Sequence, residues 1–131
     1  LDMVSMNLYT GEMEVLKNGA AATFIKRGDE VETLYSSALP VGVELEVEPD
    51  QKRRQLQDGD IIVMVTDGII DAFPGEEKEF YIENILVNMG SSNPSDIANR
   101  ILMQALERGE RMASDDMSVL VAGIWEKTGR V

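Results

Sequence analysis

The clearest strand signal in the sequence is a run of five apolar residues, Ile61 to Val65, enclosed by Gly59 and Gly68. A short run that contains β-branched residues and is bounded by glycines is typical of a strand buried on both faces. Such a strand lies in the interior of a sheet, because solvent reaches neither of its sides. The chain leaves this strand at Asp67, so we expect a carboxylate at the carboxyl end of the central strand.

The first part of the chain alternates between apolar and polar residues, as half-buried strands do. Residues 1–9 and 12–17, with a turn at Thr10-Gly11, predict one hairpin, and residues 23–26 and 31–35 predict a second. These two hairpins indicate that antiparallel pairing dominates the first third of the chain.

The next stretch continues in extended form up to the central strand. Glutamates alternate with apolar residues over 43–47, which predicts a strand with one face in the core and one acidic face in water. Residues 51–56 are also expected to be extended. The turn sequence Asp58-Gly59-Asp60 then predicts a hairpin that leads into the central strand.

Helical periodicity replaces strand periodicity in the second half of the chain. Residues 76–89 carry apolar side chains at roughly helical spacing. Residues 94–106 form the best amphipathic pattern, with Asn93 as the expected N-cap and Gly109 as the expected stop. A near-continuous apolar run over 117–125 predicts a second buried strand.

Strands followed by helices indicate an α+β fold, with mostly antiparallel sheets and two helices packed on one side. A doubly wound parallel sheet would need helices between the early strands, and the sequence shows none there. No internal repeat, low-complexity tract or inner boundary divides the chain, so residues 1–131 are expected to form a single domain segment. The chain begins at Leu1 with what looks like the interior of a strand, which predicts a segment of a longer protein.

Composition narrows the chemistry that the chain can perform. Twenty-four acidic residues against twelve basic ones give a net charge of −12, which argues against nucleic acid as a partner. No apolar run approaches the roughly 20 residues of a membrane span, so no membrane contact is expected of this segment. The chain has neither cysteine nor histidine, which excludes disulfides, thiolate nucleophiles and imidazole bases. Any chemistry would rest on carboxylates and on oxygen-seeking cations such as Mg²⁺ or Mn²⁺.

Two acidic motifs lie next to the two predicted buried strands. Asp67 follows the first strand, and Asp115 with Asp116 precedes the second. If the strands pair antiparallel, these carboxylates meet at one end of the sheet, where they would hold a cation or share a proton. Two simpler interpretations stay open at this point: Asp67 as a helix N-cap, and both motifs as solvated strand ends.

Several short motifs occur in an order that resembles the metal-dependent PP2C-type protein serine/threonine phosphatases, in particular their bacterial branch. The resemblance covers nearly the whole chain and is carried by Lys17–Ala20, Phe24–Asp29, Leu39–Gly42, Leu56–Asp60, Thr66–Ile69 and Ser114–Val119.

The resemblance implies a phosphatase that acts on phosphoserine of an anti-anti-sigma-type regulatory protein. It implies a site for two Mn²⁺ or Mg²⁺ ions, with metal-bound hydroxide attacking the phosphorus, half of a PP2C-like β-sandwich as the fold, and a cytoplasmic domain whose parent protein can be membrane-anchored. Asp67 and Asp115 match the family's metal-ligand positions and are the expected catalytic residues. Asp116 fills a position where the family varies between Asp and Asn, so it is expected beside the ligands.

One departure from the family pattern concerns its first Asp-Gly motif, whose carboxylate bridges the two metals. That motif would lie upstream of Leu1, and Asp58-Gly59 is expected in a turn instead. The chain is therefore predicted to be the C-terminal part of the phosphatase domain, to bind metal weakly and be inactive alone, and to self-associate, for instance as a homodimer. Two alternatives are an inactive phosphatase-like binding module and a phosphoacceptor receiver domain.

Overall fold

The computed structural model describes residues 2–36, 50–108 and 116–127. Within these ranges the chain forms seven strands and three helices. They are β1 (Asp2–Met6), β2 (Glu12–Lys17), β3 (Thr23–Arg27), β4 (Glu30–Leu34), β5 (Asp50–Gln55), β6 (Ile61–Val65), α1 (Asp67–Asp71), α2 (Glu79–Asn88), α3 (Pro94–Arg108) and β7 (Val119–Gly123).

The strands form two antiparallel sheets, ordered β1-β2-β5 and β4-β3-β6-β7. This arrangement confirms the predicted α+β class with mostly antiparallel sheets. It also argues against the receiver-domain alternative, since the described chain shows neither parallel pairing nor alternation of strands with helices. No helix in the described ranges is long and apolar enough to cross a bilayer.

Strand β6 is buried on both faces, as its sequence predicts. Ile61, Val63 and Val65 belong to a core cluster that includes buried residues of all three helices. Ile62 belongs to a second cluster, which includes buried side chains of β2 in the other sheet. The β4-β3-β6-β7 sheet is therefore the middle layer, with the helices on one face and the first sheet on the other.

The two predicted hairpins are present. Strands β1 and β2 pair with Val4 opposite Val15, and β3 and β4 pair with Ile25 opposite Glu32. The second turn passes through Gly28 at a φ of 61°, a left-handed conformation that glycine adopts without steric cost. The strand predicted over 43–47 lies outside the described residues.

The hairpin predicted between β5 and β6 is wrong. Strand β5 pairs with β2 in the first sheet, whereas β6 pairs with β3 and β7 in the second. The turn sequence at 58–60 correctly indicates a change of direction, but the chain crosses between sheets there. The Gly59 N–H donates to the Ile124 carbonyl at 2.8 Å, so this turn is fastened to the chain that follows β7.

The third helix confirms its sequence signals at the N-terminus. It begins at Pro94, and the Asn93 side chain accepts a hydrogen bond from the Ser95 N–H at 2.9 Å. Ile97, Ile101 and Ala105 lie on its buried face. Each fully buried isoleucine of this kind contributes roughly 1.5–3 kcal/mol to folding.

Three other elements differ from their predictions. A one-turn helix, α1, precedes the two predicted helices, because a five-residue segment is too short to show a period. Helix α2 begins at Glu79 rather than Glu76, after Gly75 at a φ of 89°. Strand β7 is an edge strand rather than a buried one: it pairs with β6 alone in the described chain, and Leu120 is 57% exposed.

Candidate metal site at the end of the central strand

Strands β6 and β7 run antiparallel with Val65 opposite Val119, so the end of β6 lies beside the beginning of β7. This pairing is the one that the sequence analysis required for its two acidic motifs to meet. Asp67 follows β6 directly after Thr66, and Asp116 precedes β7 by a few residues. Asp115 itself lies outside the described residues.

Thr66 makes direct contacts across this end of the sheet. Its N–H donates to the Ser118 carbonyl at 3.1 Å. Its hydroxyl accepts a hydrogen bond from the Ser118 N–H at 2.9 Å and donates one to the Asp116 carbonyl at 3.1 Å. The residue before Asp67 is therefore bonded to the residue after Asp115. Sequence reasoning placed Thr66 in a motif but gave it no contact, since a hydroxyl beside an acidic residue carries no signal of its partner.

Asp67 is the first residue of α1, and the N-cap position belongs to Thr66. The interpretation of Asp67 as a helix N-cap is therefore wrong, and no side-chain capping bond is present. The backbone around Asp67 is nevertheless held firmly, because Gly68, Ile69 and Ile70 are all buried. A buried turn thus presents an exposed carboxylate at the surface.

The side-chain chemistry at this end fits a hard divalent cation. Among the residues that the structure describes, none donates a hydrogen bond to the Asp67 carboxylate, and none forms an ion pair with it. Asp116 is exposed, and its backbone carbonyl accepts the hydrogen bond from Thr66. Oxygen-only donors without histidine or cysteine suit Mg²⁺ or Mn²⁺. The described residues hold no group of three or more acidic side chains that could complete such a site.

Asp58-Gly59 lies at the opposite end of β6 and has a structural role. The Asp58 carboxylate accepts a hydrogen bond from the Glu126 N–H at 2.7 Å. Strand β6 has five residues, and at about 3.3 Å per residue it separates the two ends by roughly 17 Å. Asp58 therefore does not join Asp67, in agreement with its predicted position in a turn.

The neighbouring Asp60 is completely buried and is held by Arg27. The guanidinium donates to both carboxylate oxygens of Asp60, at 2.9 and 2.7 Å, and this hydrogen bonding raises the pKa of Arg27 above its ordinary value. The Gln57 N–H donates to the same carboxylate at 2.7 Å. This pair fixes the crossover between the two sheets, at the end far from Asp67.

A second buried charge, Lys17, lies at the end of β2. Its Nζ atom donates to the Asp2 carboxylate at 2.8 Å and to the Ala21 carbonyl at 2.6 Å, and the residue is 1% exposed. Nearby along the chain, the Thr23 hydroxyl is buried without a hydrogen-bond partner in the described structure. Thr23 pairs with Met64, so it lies at the same end of the middle sheet as Thr66.

The arrangement of two antiparallel sheets with helices on one face belongs to the PP2C class of protein phosphatase folds. The serine/threonine phosphatase PstP/Ppp of Mycobacterium tuberculosis superimposes with a TM-score of 0.71 at 16% identity, over 95% of this chain and 59% of that one. The phosphatase domain of SpoIIE from Bacillus subtilis, presoaked with manganese, superimposes with a TM-score of 0.85 at 25% identity, over 100% of this chain and 59% of that one.

Within this class, the chain belongs to the stage II sporulation protein E (SpoIIE) family, whose sequence model matches residues 1–125. Stage II sporulation protein E of Priestia megaterium is 30% identical over 129 residues, which are 98% of this chain and 22% of that protein. The chain therefore spans about a fifth of the length of this curated relative. These matches confirm the resemblance on which the sequence analysis relied.

Proposed function

We propose that this chain forms the C-terminal part of a metal-dependent protein serine phosphatase domain. The observation that carries the proposal is the antiparallel pairing of β6 with β7, which brings Asp116, the residue after Asp115 in the sequence, to the strand end that presents Asp67. Membership of the SpoIIE family supports the reaction class. The same membership supports phosphoserine on an anti-anti-sigma-type regulatory protein as the substrate.

In this proposal, Asp67 and Asp115 hold a divalent cation. Mn²⁺ or Mg²⁺, when bound, would supply Lewis-acid activation of water and neutralise charge on the phosphate. The Asp67 carboxylate suits this role because it is exposed and has no protein partner among the described residues. The buried residues that follow Asp67 keep its backbone fixed, so little backbone freedom is lost when the carboxylate binds a cation.

We further propose that the remaining carboxylate of the site comes from the part of the phosphatase domain that has no counterpart in residues 1–131. This chain covers 59% of the SpoIIE phosphatase domain with which it superimposes. Metal binding and activity are therefore expected of the complete domain, and only weak metal binding is expected of this segment.

The test is a comparison of Asp67→Asn with the unchanged complete domain in hydrolysis of a phosphoserine protein at saturating Mn²⁺. The substitution keeps the size of the side chain but removes its charge, so we expect kcat to fall by at least about 100-fold. The matched control is Asp29→Asn in the exposed β3–β4 turn at the far end of the sheet, which should leave kcat unchanged.

Activity of Asp67→Asn within threefold of the unchanged domain would contradict the proposal. A complete domain that binds its partner protein but hydrolyses no phosphoserine would also contradict it, and would support the inactive binding module instead. Equal losses in Asp67→Asn and Asp29→Asn would show that the effect does not arise at the proposed site.

A further inference from the structure

We propose that Thr66 is a positioning residue, whose hydroxyl holds Asp116 against the end of β6 and so sets how the acidic segment that leads into β7 approaches Asp67. This inference rests on the proposed function, because it assigns Thr66 to the same site. It starts from the hydrogen bonds that join Thr66 to Asp116 and Ser118, one donated by its N–H and the others made by its hydroxyl.

The register of the sheet explains why a hydroxyl is needed at this position. Val65 pairs with Val119, so the next pair in an antiparallel ladder is Thr66 with Ser118. In a hydrogen-bonded pair of this kind, each residue donates its N–H to the carbonyl of the other. The Thr66 N–H does donate to the Ser118 carbonyl, at 3.1 Å, which is half of the expected exchange.

The other half is missing because the Thr66 carbonyl is already engaged in α1. It accepts hydrogen bonds from the Ile69 N–H at 3.0 Å and from the Ile70 N–H at 3.5 Å. The Ser118 N–H therefore has no backbone acceptor on β6. The Thr66 hydroxyl replaces that carbonyl as acceptor, at 2.9 Å.

The same hydroxyl then uses its own hydrogen to reach the other acidic motif. It donates to the Asp116 carbonyl at 3.1 Å, with the Ser118 carbonyl as a more distant acceptor at 3.5 Å, so one oxygen atom acts as acceptor and donor at once. Asp67 is bonded covalently to Thr66, and Asp115 is bonded covalently to Asp116. Together with the Thr66 N–H, the hydroxyl thus joins Thr66, which precedes one predicted ligand in the sequence, to Asp116, which follows the other, and to Ser118.

Because these groups are exposed, a positioning role of Thr66 can be distinguished experimentally from a merely structural one. Thr66, Asp116 and Ser118 are all exposed, so water can replace the hydrogen bonds if the hydroxyl is removed. Loss of exposed hydrogen bonds changes the free energy of unfolding only slightly. The relative position of two metal ligands, in contrast, affects metal affinity strongly. Removing the hydroxyl should therefore weaken metal binding much more than it weakens folding.

The experiment compares Thr66→Val and Thr66→Ser with the unchanged complete domain. Valine has nearly the shape of threonine but cannot donate or accept, whereas serine keeps the hydroxyl. The first measurement is the dissociation constant for Mn²⁺, followed by the electron paramagnetic resonance of the free ion. The second is the hydrogen-exchange rate of the Ser118 amide without metal, followed by nuclear magnetic resonance.

For Thr66→Val we expect the dissociation constant for Mn²⁺ to rise about 10- to 100-fold. We also expect the Ser118 amide to exchange at least about tenfold faster, since its acceptor is lost. For Thr66→Ser, both quantities should stay within about threefold of the unchanged domain. The urea midpoint of unfolding should be nearly the same in all three proteins.

Thr66→Val with unchanged Mn²⁺ affinity, in a domain that otherwise binds Mn²⁺ normally, would overturn the positioning role and leave the proposed function intact. Unchanged exchange of the Ser118 amide would overturn it as well. Failure of the unchanged domain to bind Mn²⁺ would instead contradict the proposed function, and with it the role of Thr66. A loss of affinity in Thr66→Ser equal to that in Thr66→Val would show that the hydroxyl is not responsible.

Discussion

Arg27 and Arg53 both lie beside acidic side chains, but the two sets of contacts differ in how much they contribute to the stability of the fold. Arg27 donates two short hydrogen bonds to the completely buried Asp60. Arg53 approaches Glu12 and Glu14 at 3.9 and 3.7 Å, and its own side chain is 64% exposed. A buried carboxylate that loses its partner keeps the free-energy cost of desolvation without a compensating interaction. An exposed ion pair, in contrast, is weakened by solvent screening. The Arg27–Asp60 pair should therefore stabilise the fold, and the Arg53 contacts should contribute little.

At the residue scale we predict that Arg27→Gln lowers the free energy of unfolding by about 2–4 kcal/mol, because it leaves the buried Asp60 carboxylate without its positively charged partner. The matched control is Arg53→Gln, which should change the same quantity by less than about 0.5 kcal/mol. Urea unfolding followed by circular dichroism measures both. Equal effects of the two substitutions would refute this assignment of stability.

At the scale of secondary structure, the elements that could be predicted are those whose residues carry a local signal. The local sequence alone predicts three of these features: the apolar run of β6, the alternation of β1 and β2, and the start of α3 at Asn93-Pro94. The two-faced burial of β6 in particular follows from its lack of any polar position.

Elements that depend on distant partners could not be predicted in the same way. The 58–60 turn indicates a reversal, but only the pairing of β5 with β2 decides that the chain changes sheet there. The apolar run of β7 resembles that of β6, yet one of its edges carries no strand in the described chain. For the site, the sequence could indicate Asp67, whereas the role of Thr66 depends on the register of β6 with β7.

The Asn93 cap at the N-terminus of α3 is expected to stabilise the fold. Asn93→Ala removes the acceptor of the Ser95 N–H, so we expect the free energy of unfolding to fall by about 1 kcal/mol. Asn99→Ala makes the same chemical change at an exposed position inside the helix, where alanine is the better helix former, and should be neutral or slightly stabilising. Urea unfolding of both variants checks the prediction, which fails if Asn99→Ala is as destabilising as Asn93→Ala.

On the scale of the whole molecule, the three layers divide stability and chemistry between the two ends of the middle sheet. One end holds the ion pair between Arg27 and the buried Asp60 carboxylate, which fixes the crossover between the sheets. The other end presents the Asp67 carboxylate, which has no ion-pair partner in the described part of the chain, beside the segment that leads into β7. A stable scaffold with a cation site needs both features. Charged groups that hold the fold together are paired within the protein, and the carboxylate that binds the cation stays accessible.

The most direct test of this division is a titration of the complete, isotope-labelled domain with sub-stoichiometric Mn²⁺, followed by paramagnetic broadening of its amide signals. We predict that the signals of Asp67 and Asp115 broaden first, because the ion binds between them. The signals of Asp29 and Asp60, at the opposite end of the sheet, should stay sharp at the same concentration. Earliest broadening at the opposite end, or equal broadening of exposed acidic residues throughout the domain, would contradict the claim that Asp67 and Asp115 together hold the metal.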